Sequence, residues 1–364
     1  MKILNVAGAR PNFMKIAPLI KEMQKHPEIQ PVLIHTGQHY DDKMSKFFFS
    51  DLQIPQPDID LEVGSASHAV QTAKIMMAFE EVLLKEQPDL VVVVGDVNST
   101  IGCALPAVKL NIPVAHVEAG LRSFDRSMPE EINRVLTDAI SEYLFVTEPS
   151  GKENLLREGV PQDKIYFVGN VMIDTLLANK AKADQSLVLQ TLNLRPQEYA
   201  LLTLHRPSNV DVREIFLSIL EALEEIQTHL PIIFPVHPRT RKRIAEFGLT
   251  ARVDSMRNFR LTEPFGYLDF LKLMAEAKLM LTDSGGIQEE TTILQIPCIT
   301  LRENTERPIT VQQGTNVIVG TNTERIIQES HNILNGKSLS AKMPDLWDGK
   351  AAERIVKILI EKSL

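Results

Sequence analysis

The residues best equipped for chemistry in this chain sit in short runs just after apolar stretches. Asp283-Ser-Gly-Gly-Ile-Gln-Glu-Glu290 follows one such stretch and opens a helical pattern. Small residues at that turn let backbone N–H groups approach an anion, and a helix N-terminus adds the positive end of its dipole. Ser284 supplies a hydroxyl donor beside Gly285 and Gly286. Glu289 and Glu290, one turn further in, would repel a phosphate. A carboxylate set back from the turn can instead accept from two ribose hydroxyls. Asp and Ser are also good N-caps, so an ordinary helix start uses the same residue types. The run is not G-x-G-x-x-G, so the dinucleotide fingerprint is absent and no cofactor is expected.

Two histidines stand in equivalent places. His205-Arg206-Pro207 and Val236-His237-Pro238-Arg239 each follow an apolar run. One histidine alone more often packs or is solvated; two at equivalent strand carboxyl ends of one sheet point to function. Neither has a second ligand at helical spacing, so a metal is not expected. Near the start, Gly8-Ala-Arg-Pro-Asn-Phe-Met-Lys15 places Arg10 and Lys15 by a helix start, where the dipole disfavours cations and a bound anion would offset the cost. Asp96 and Glu118 end apolar runs, where an unpartnered carboxylate would be costly. Glu130 and Glu131 follow Pro129 at the next helix start, which is what any stable helix prefers.

These runs need strands to carry them. Lys2–Ala7, Pro31–Thr36, Asp89–Val94, Ile112–Val117, Tyr143–Thr147 and Ile165–Val168 read as strands, with helical periodicity at 11–25, 69–85 and 130–141. The pattern restarts with Tyr199–Leu204, Ile232–Val236, Phe259–Leu261, Leu279–Thr282, Cys298–Leu301 and Val317–Val319. Strands alternating with helix-length segments predict βαβ units and parallel sheets. In all 364 residues, longer than one core comfortably supports, this means two Rossmann-like domains. The expected division is 1–172, 173–345 and a C-terminal helix over 346–364, with the ligand in a cleft where the carboxyl ends of the strands face each other.

The formal charge of −8 excludes a general basic field for nucleic acid or an anionic membrane. No apolar run reaches the length of a membrane span. Cys103 and Cys298 lie far apart in apolar stretches and read as buried free thiols, which fits a reducing cytoplasm.

Together the motifs resemble the non-hydrolysing UDP-N-acetylglucosamine 2-epimerases. The matching segments, in order, are GARPNFMKIAPL, TGQH (36–39), VVVVGD (91–96), HVEAGLRS (116–123), PEEINR, TLHR (203–206), PVHP, DSGGIQEE and ENTERP (303–308). The resemblance implies a glycosyltransferase-B type fold, a homodimer, and a C-terminal helix crossing back to the first domain. It places Arg10, His205, His237, Ser284, Gly285 and Arg307 at or near the diphosphate, Glu290 at the ribose and Phe270 beside the uracil; Lys15, Arg206 and Gly286, in the same runs, are further candidates for binding the UDP-sugar. It gives Asp96, Glu118 and Glu130 as catalytic carboxylates, with His205 near the leaving diphosphate.

The chemistry accounts for that inventory. The C2 hydrogen of the sugar is not acidic, because no carbonyl sits beside it. The family therefore expels UDP first, leaving 2-acetamidoglucal, which is reprotonated at C2 from the other face before UDP adds back. Donors at the diphosphate stabilise the leaving group, and carboxylates move the proton. Some residues depart from the pattern of substrate-activated bacterial members: Ala9, Pro207-Ser208 after the His-Arg pair, and Tyr40-Asp41 after Gln38-His39. These put the regulatory site in question and resemble the branch acting on UDP-2,3-diacetamido-2,3-dideoxyglucuronate. A glycosyltransferase on the same fold is a further alternative.

Overall fold

The computed structural model describes residues 1–37, 52, 54–337 and 341–363. The chain divides into two compact units, 1–178 with 345–364, and 179–344. The division falls inside helix Val171–Ala183, past the expected boundary at residue 172.

The first unit holds a parallel sheet of seven strands: β1 (Lys2–Ala7), β2 (Gln30–His35), β3 (Ile59–Asp60), β4 (Leu90–Val94), β5 (Val114–Ala119), β6 (Tyr143–Val146) and β7 (Ile165–Phe167), in the order β3-β2-β1-β4-β5-β6-β7. The two-residue β3 has no counterpart in the sequence reading, being too short to show a pattern. β4 is Leu-Val-Val-Val-Val, buried throughout, as a strand covered by helices on both faces must be. Its Val91 and Val93 pack with Leu4, Val6, Ile75 and Phe79.

The second unit repeats the design with β8 (Ala200–Thr203), β9 (Ile232–Pro235), β10 (Phe259–Thr262), β11 (Leu279–Thr282), β12 (Cys298–Thr300) and β13 (Asn316–Ile318), in the order β10-β9-β8-β11-β12-β13. In each sheet the order reverses direction once, between β1 and β4 and between β8 and β11. Neighbouring crossovers there run to opposite faces, so the loops at the strand carboxyl ends diverge and leave an opening. The loop after β1 carries Gly8 and Ala9 and leads into helix Arg10–Met23, which holds Lys15; the loop after β4 carries Asp96, and those after β8 and β11 carry His205 and Ser284.

Residues 345–364 are anchored on the first unit. Trp347 is fully buried and its indole N–H donates to the Thr147 carbonyl at 2.9 Å. The Asp174 carboxylate accepts from the N–H groups of Ala351 and Ala352 at 3.1 and 2.7 Å, capping helix Ala351–Ser363. Burial pushes the Asp174 carboxyl up to about 6, against the opposing pull of those two donors. Both cysteines are buried and unbridged, and burial pushes the Cys298 thiol up to about 12. No helix among the described residues is long and apolar enough to cross a membrane.

Candidate functional site

In the first unit, Glu118 sits near the end of β5 with φ of +77°, where the register against β6 slips between Val117 and Ala119. This left-handed conformation is disfavoured for a residue with a side chain and costs on the order of 1–3 kcal/mol. It lets the carboxylate, 5% exposed, pair with Lys15, itself 7% exposed. Gly95, with φ of +66°, backs this pair: a Cβ there would come within 2.9 Å of Lys15 Nζ and 3.3 Å of Glu118 Oε2.

The next residue, Asp96, accepts from Arg134 Nη2 at 2.6 Å while its carboxylate stays partly exposed. Arg134 also pairs with Glu131 at 3.0 Å. Glu131 in turn accepts from the N–H groups of Ser123 and Phe124 and from the Ser123 hydroxyl, fixing the loop after β5. Of the two acids at the start of helix Pro129–Ile140, Glu131 therefore serves the scaffold. Glu130 is half-buried, and its side chain has no hydrogen-bond or ion-pair partner among the described residues.

The sequence reading gave His116 no role, yet it holds this arrangement together. It is fully buried, with Nδ1 2.6 Å from Asp138 Oδ1 and Nε2 2.7 Å from the Gly95 carbonyl. A carbonyl can only accept, so Nε2 carries a proton, and the ring ties the end of β4 to helix Pro129–Ile140. Burial would raise the Asp138 carboxyl, but His116 and Arg122 outweigh it and hold it below the usual carboxylate range. The one sequence signal was position: His116 lies two residues before Glu118 on a continuous apolar run, so it points to the same face of the strand.

In the loop after β1, the backbone donors find a partner within the chain. The N–H groups of Gly8 and Ala9 donate to Asn12 Oδ1 at 3.2 and 2.9 Å, and Asn12 donates to the Val94 carbonyl at 3.0 Å. The cost of placing Lys15 near a helix start is offset by Glu118. The Arg10 side chain and Gln38, His39, Tyr40 and Asp41 lie outside the described residues.

In the second unit, Asp283 links the two loops at the switch point. Its carboxylate accepts from the N–H groups of His205 and Arg206, both at 2.8 Å, and lies 2.9 Å from His205 Nδ1. Asp283 is thus not the helix cap that its type suggested; Ser284 holds the N-cap position of helix Gly285–Leu294 and makes no side-chain capping bond. Burial would raise the Asp283 carboxyl, but His205 and the two backbone donors hold it below the usual range. The His205 imidazole remains 43% exposed, held by a fully buried carboxylate. Arg206 Nε donates to the Asp283 carbonyl at 3.0 Å.

His237 lies beside His205, with ring centroids 5.8 Å apart. Its Nδ1 accepts from the Arg239 N–H at 3.2 Å, capping helix Pro238–Glu246. An accepting Nδ1 leaves the proton on Nε2, so the ring presents a donor. The first turn of helix Gly285–Leu294 contains no acid, and Ser284 and Gly286 are partly exposed there. A Cβ at Gly285 would come within 2.6 Å of Arg307 Nη1 and 2.8 Å of Glu306 Oε1. Arg307 is buried between Glu289, 2.6 Å from its Nε, and Glu306, 2.7 Å from its Nη1. Phe270 is partly exposed on helix Tyr267–Ala275.

Glu290 is buried and accepts from the Tyr267 hydroxyl at 3.1 Å. Burial, reinforced by Glu289 and opposed by Tyr267, pushes its carboxyl up to about 8. The folded chain keeps this proton up to about pH 8, whereas an unfolded glutamate loses it near pH 4.3. Between those values the folded state binds more protons, so the contribution of Glu290 to stability falls as pH rises. The unliganded Glu290→Gln variant is expected to lose less stability than wild type between pH 5 and pH 8, by urea unfolding. Parallel curves for the two proteins would contradict the assignment.

Comparisons with known proteins agree with one another. Residues 21–360 match the family model described as UDP-N-acetylglucosamine 2-epimerase. The chain is 49% identical over 364 residues to a UDP-N-acetylglucosamine 2-epimerase of Methanocaldococcus jannaschii, covering 99% of each chain. It is 40% identical over 362 residues to a UDP-2,3-diacetamido-2,3-dideoxy-D-glucuronate 2-epimerase of Pseudomonas aeruginosa, again covering 99% of each. A crystal structure of the Methanocaldococcus jannaschii enzyme in complex with UDP-GlcNAc and UDP superposes with a TM-score of 0.93, covering 99% of this chain and all of that one.

Proposed function

The chain belongs to the UDP-N-acetylglucosamine 2-epimerase family, and on that premise we propose that it interconverts UDP-N-acetylglucosamine and UDP-N-acetylmannosamine. The reading rests most on one observation: three carboxylates, Asp96, Glu118 and Glu130, at or beyond the carboxyl ends of β4 and β5, in a chain nearly half identical to an enzyme of that activity. Family membership sets the glycosyltransferase alternative aside. The higher identity to the UDP-N-acetylglucosamine enzyme than to the diacetamido-glucuronate enzyme favours the former substrate.

In this reading the second unit holds UDP. The Ser284 hydroxyl, the N–H groups of Gly285 and Gly286, and His205, Arg206 and His237 receive the diphosphate, with Arg307 adding charge behind them. Glu290 accepts from the ribose and Phe270 flanks the uracil. Arg10 and Lys15 are the cations that the first unit would contribute. These donors stabilise UDP as it leaves C1, and the carboxylates of the first unit take the C2 proton and return one to the opposite face of the glycal. Glu118, paired with Lys15, and Asp96, paired with Arg134, are the carboxylates held in place to accept it. Incubation with UDP-N-acetylglucosamine alone in D₂O is expected to yield UDP-N-acetylmannosamine, with deuterium at C2 of both epimers by NMR. Absence of the second epimer would defeat the function, and its formation with full retention of hydrogen at C2 would defeat the elimination route. Turnover of the diacetamido-glucuronate substrate in its place would move the chain to that branch.

A homodimer is supported by an apolar stripe on helix His68–Glu86. Val70, Met77 and Leu84, at intervals of seven, are 48%, 71% and 60% exposed. Such a stripe lies on one helix face and suits burial against another copy. Light scattering should give a dimer mass for wild type and a monomer mass for Met77→Glu/Leu84→Glu; a monomeric wild type would remove the reading.

A further inference from the structure

In the second unit, helices Arg213–His229 and Thr323–Leu334 pack against each other and end side by side. There Glu225, His229 and His331 each bring one ligand atom within 4.8 Å of the others. Glu225 Oε1 lies 3.3 Å from His229 Nε2 and 3.7 Å from His331 Nε2, and the two rings meet edge-on with centroids 4.8 Å apart. None of the three has a part in holding nucleotide or moving the C2 proton.

We propose that Glu225, His229 and His331 form a binding site for a divalent metal ion of the zinc class, joining the two helices. A tetrahedral ion with bonds of about 2.0–2.1 Å sets its ligand atoms about 3.3–3.4 Å apart. The separations from Glu225 are therefore close to a coordination edge before any ion enters. Glu225 and His229 are one helical turn apart, so both project from the same face, and His331 completes the trio from the neighbouring helix. Two imidazoles and a carboxylate suit zinc and its neighbours, whereas magnesium and calcium prefer all-oxygen shells.

The location favours a cation independently of the ligands. His229 and His331 both lie in the last turns of their helices, where unpaired carbonyls give each end a partial negative charge. Glu225 adds a full one. The side chains are 46%, 50% and 32% exposed for Glu225, His229 and His331, so water can reach the ion and fill its remaining positions. An ion bound only when both helices are in place stabilises the folded unit.

The test uses the full chain, stripped with EDTA and free of nucleotide, titrated with ZnCl₂ at pH 7.5 by calorimetry. One saturable zinc site per chain and a raised unfolding midpoint are expected, with no such site for MgCl₂. His229→Gln and His331→Gln should each weaken zinc by at least about 10–100-fold, which is what loss of even an outer partner costs a metal site. Their metal-free unfolding midpoints should match wild type, because both positions are on the surface. Wild type without a saturable zinc site, or both variants binding zinc as wild type does, would overturn the proposal.

Discussion

Replacing Glu118 by Gln is expected to lower kcat by on the order of 10²–10⁴, the range for loss of a positioned general acid or base, while KM for UDP-N-acetylglucosamine moves little. Glutamine keeps the length of the side chain and can still accept from Lys15, but it cannot take a proton. The backbone strain at Glu118 is unchanged by the substitution, so the effect reads the carboxylate alone. Exchange of deuterium into C2 should fall in step with epimerisation. If the variant epimerises within tenfold of wild type, Glu118 does not move the proton, and Asp96 and Glu130 would have to be tested in its place.

Asp283→Asn is expected to have a comparable effect by a different route. In the Ser-His-Asp proteases, the same change at the residue behind the histidine lowers kcat about 10⁴-fold by leaving the imidazole in the wrong tautomer. Here Asp283 touches His205 Nδ1 and both backbone donors of the loop that carries it. It is a positioning residue, so the informative measurement is a double-mutant cycle. If Asp283 acts through His205, the Asp283→Asn/His205→Ala chain should be no slower than His205→Ala by itself. Multiplying effects would show that Asp283 acts independently of the histidine. Asp283→Ala should also cost stability, since hydrogen bonds to a charged group contribute about 1.5–3 kcal/mol each.

Apart from the two-residue β3, the strands were legible because each centres on an apolar run bounded by Gly, Pro or polar residues, and their alternation with helices gave two parallel sheets. The positions of His205, His237 and Ser284 at strand ends followed from that. What the sequence concealed were conformations and partners. Nothing in His-Val-Glu-Ala-Gly announces that Glu118 takes a positive φ, because that arises from a register slip against β6. His116 drew no reading of its own from the sequence, because its role depends on a carbonyl and a carboxylate more than 20 residues away. Asp283 had the right type and position for a cap, and only the proximity of β8 to β11 gives it other work. The occupation of the Gly8 and Ala9 donors by Asn12 was hidden for the same reason: a side chain four residues on competes with any external anion.

The return of residues 345–364 to the first unit has a consequence for how the protein is made. The second unit is, topologically, an insertion into the first. During synthesis, residues 179–344 leave the ribosome before the segment that contains Trp347 and the helix capped by Asp174. The second unit therefore has all its residues available while the first still lacks a fully buried tryptophan and the helix beside it. Domains generally fold as units in the order they are completed. Here the half that begins first is completed last, and the early-emerging sheet must wait, its Trp347 cavity open, until the rest of the chain has been made.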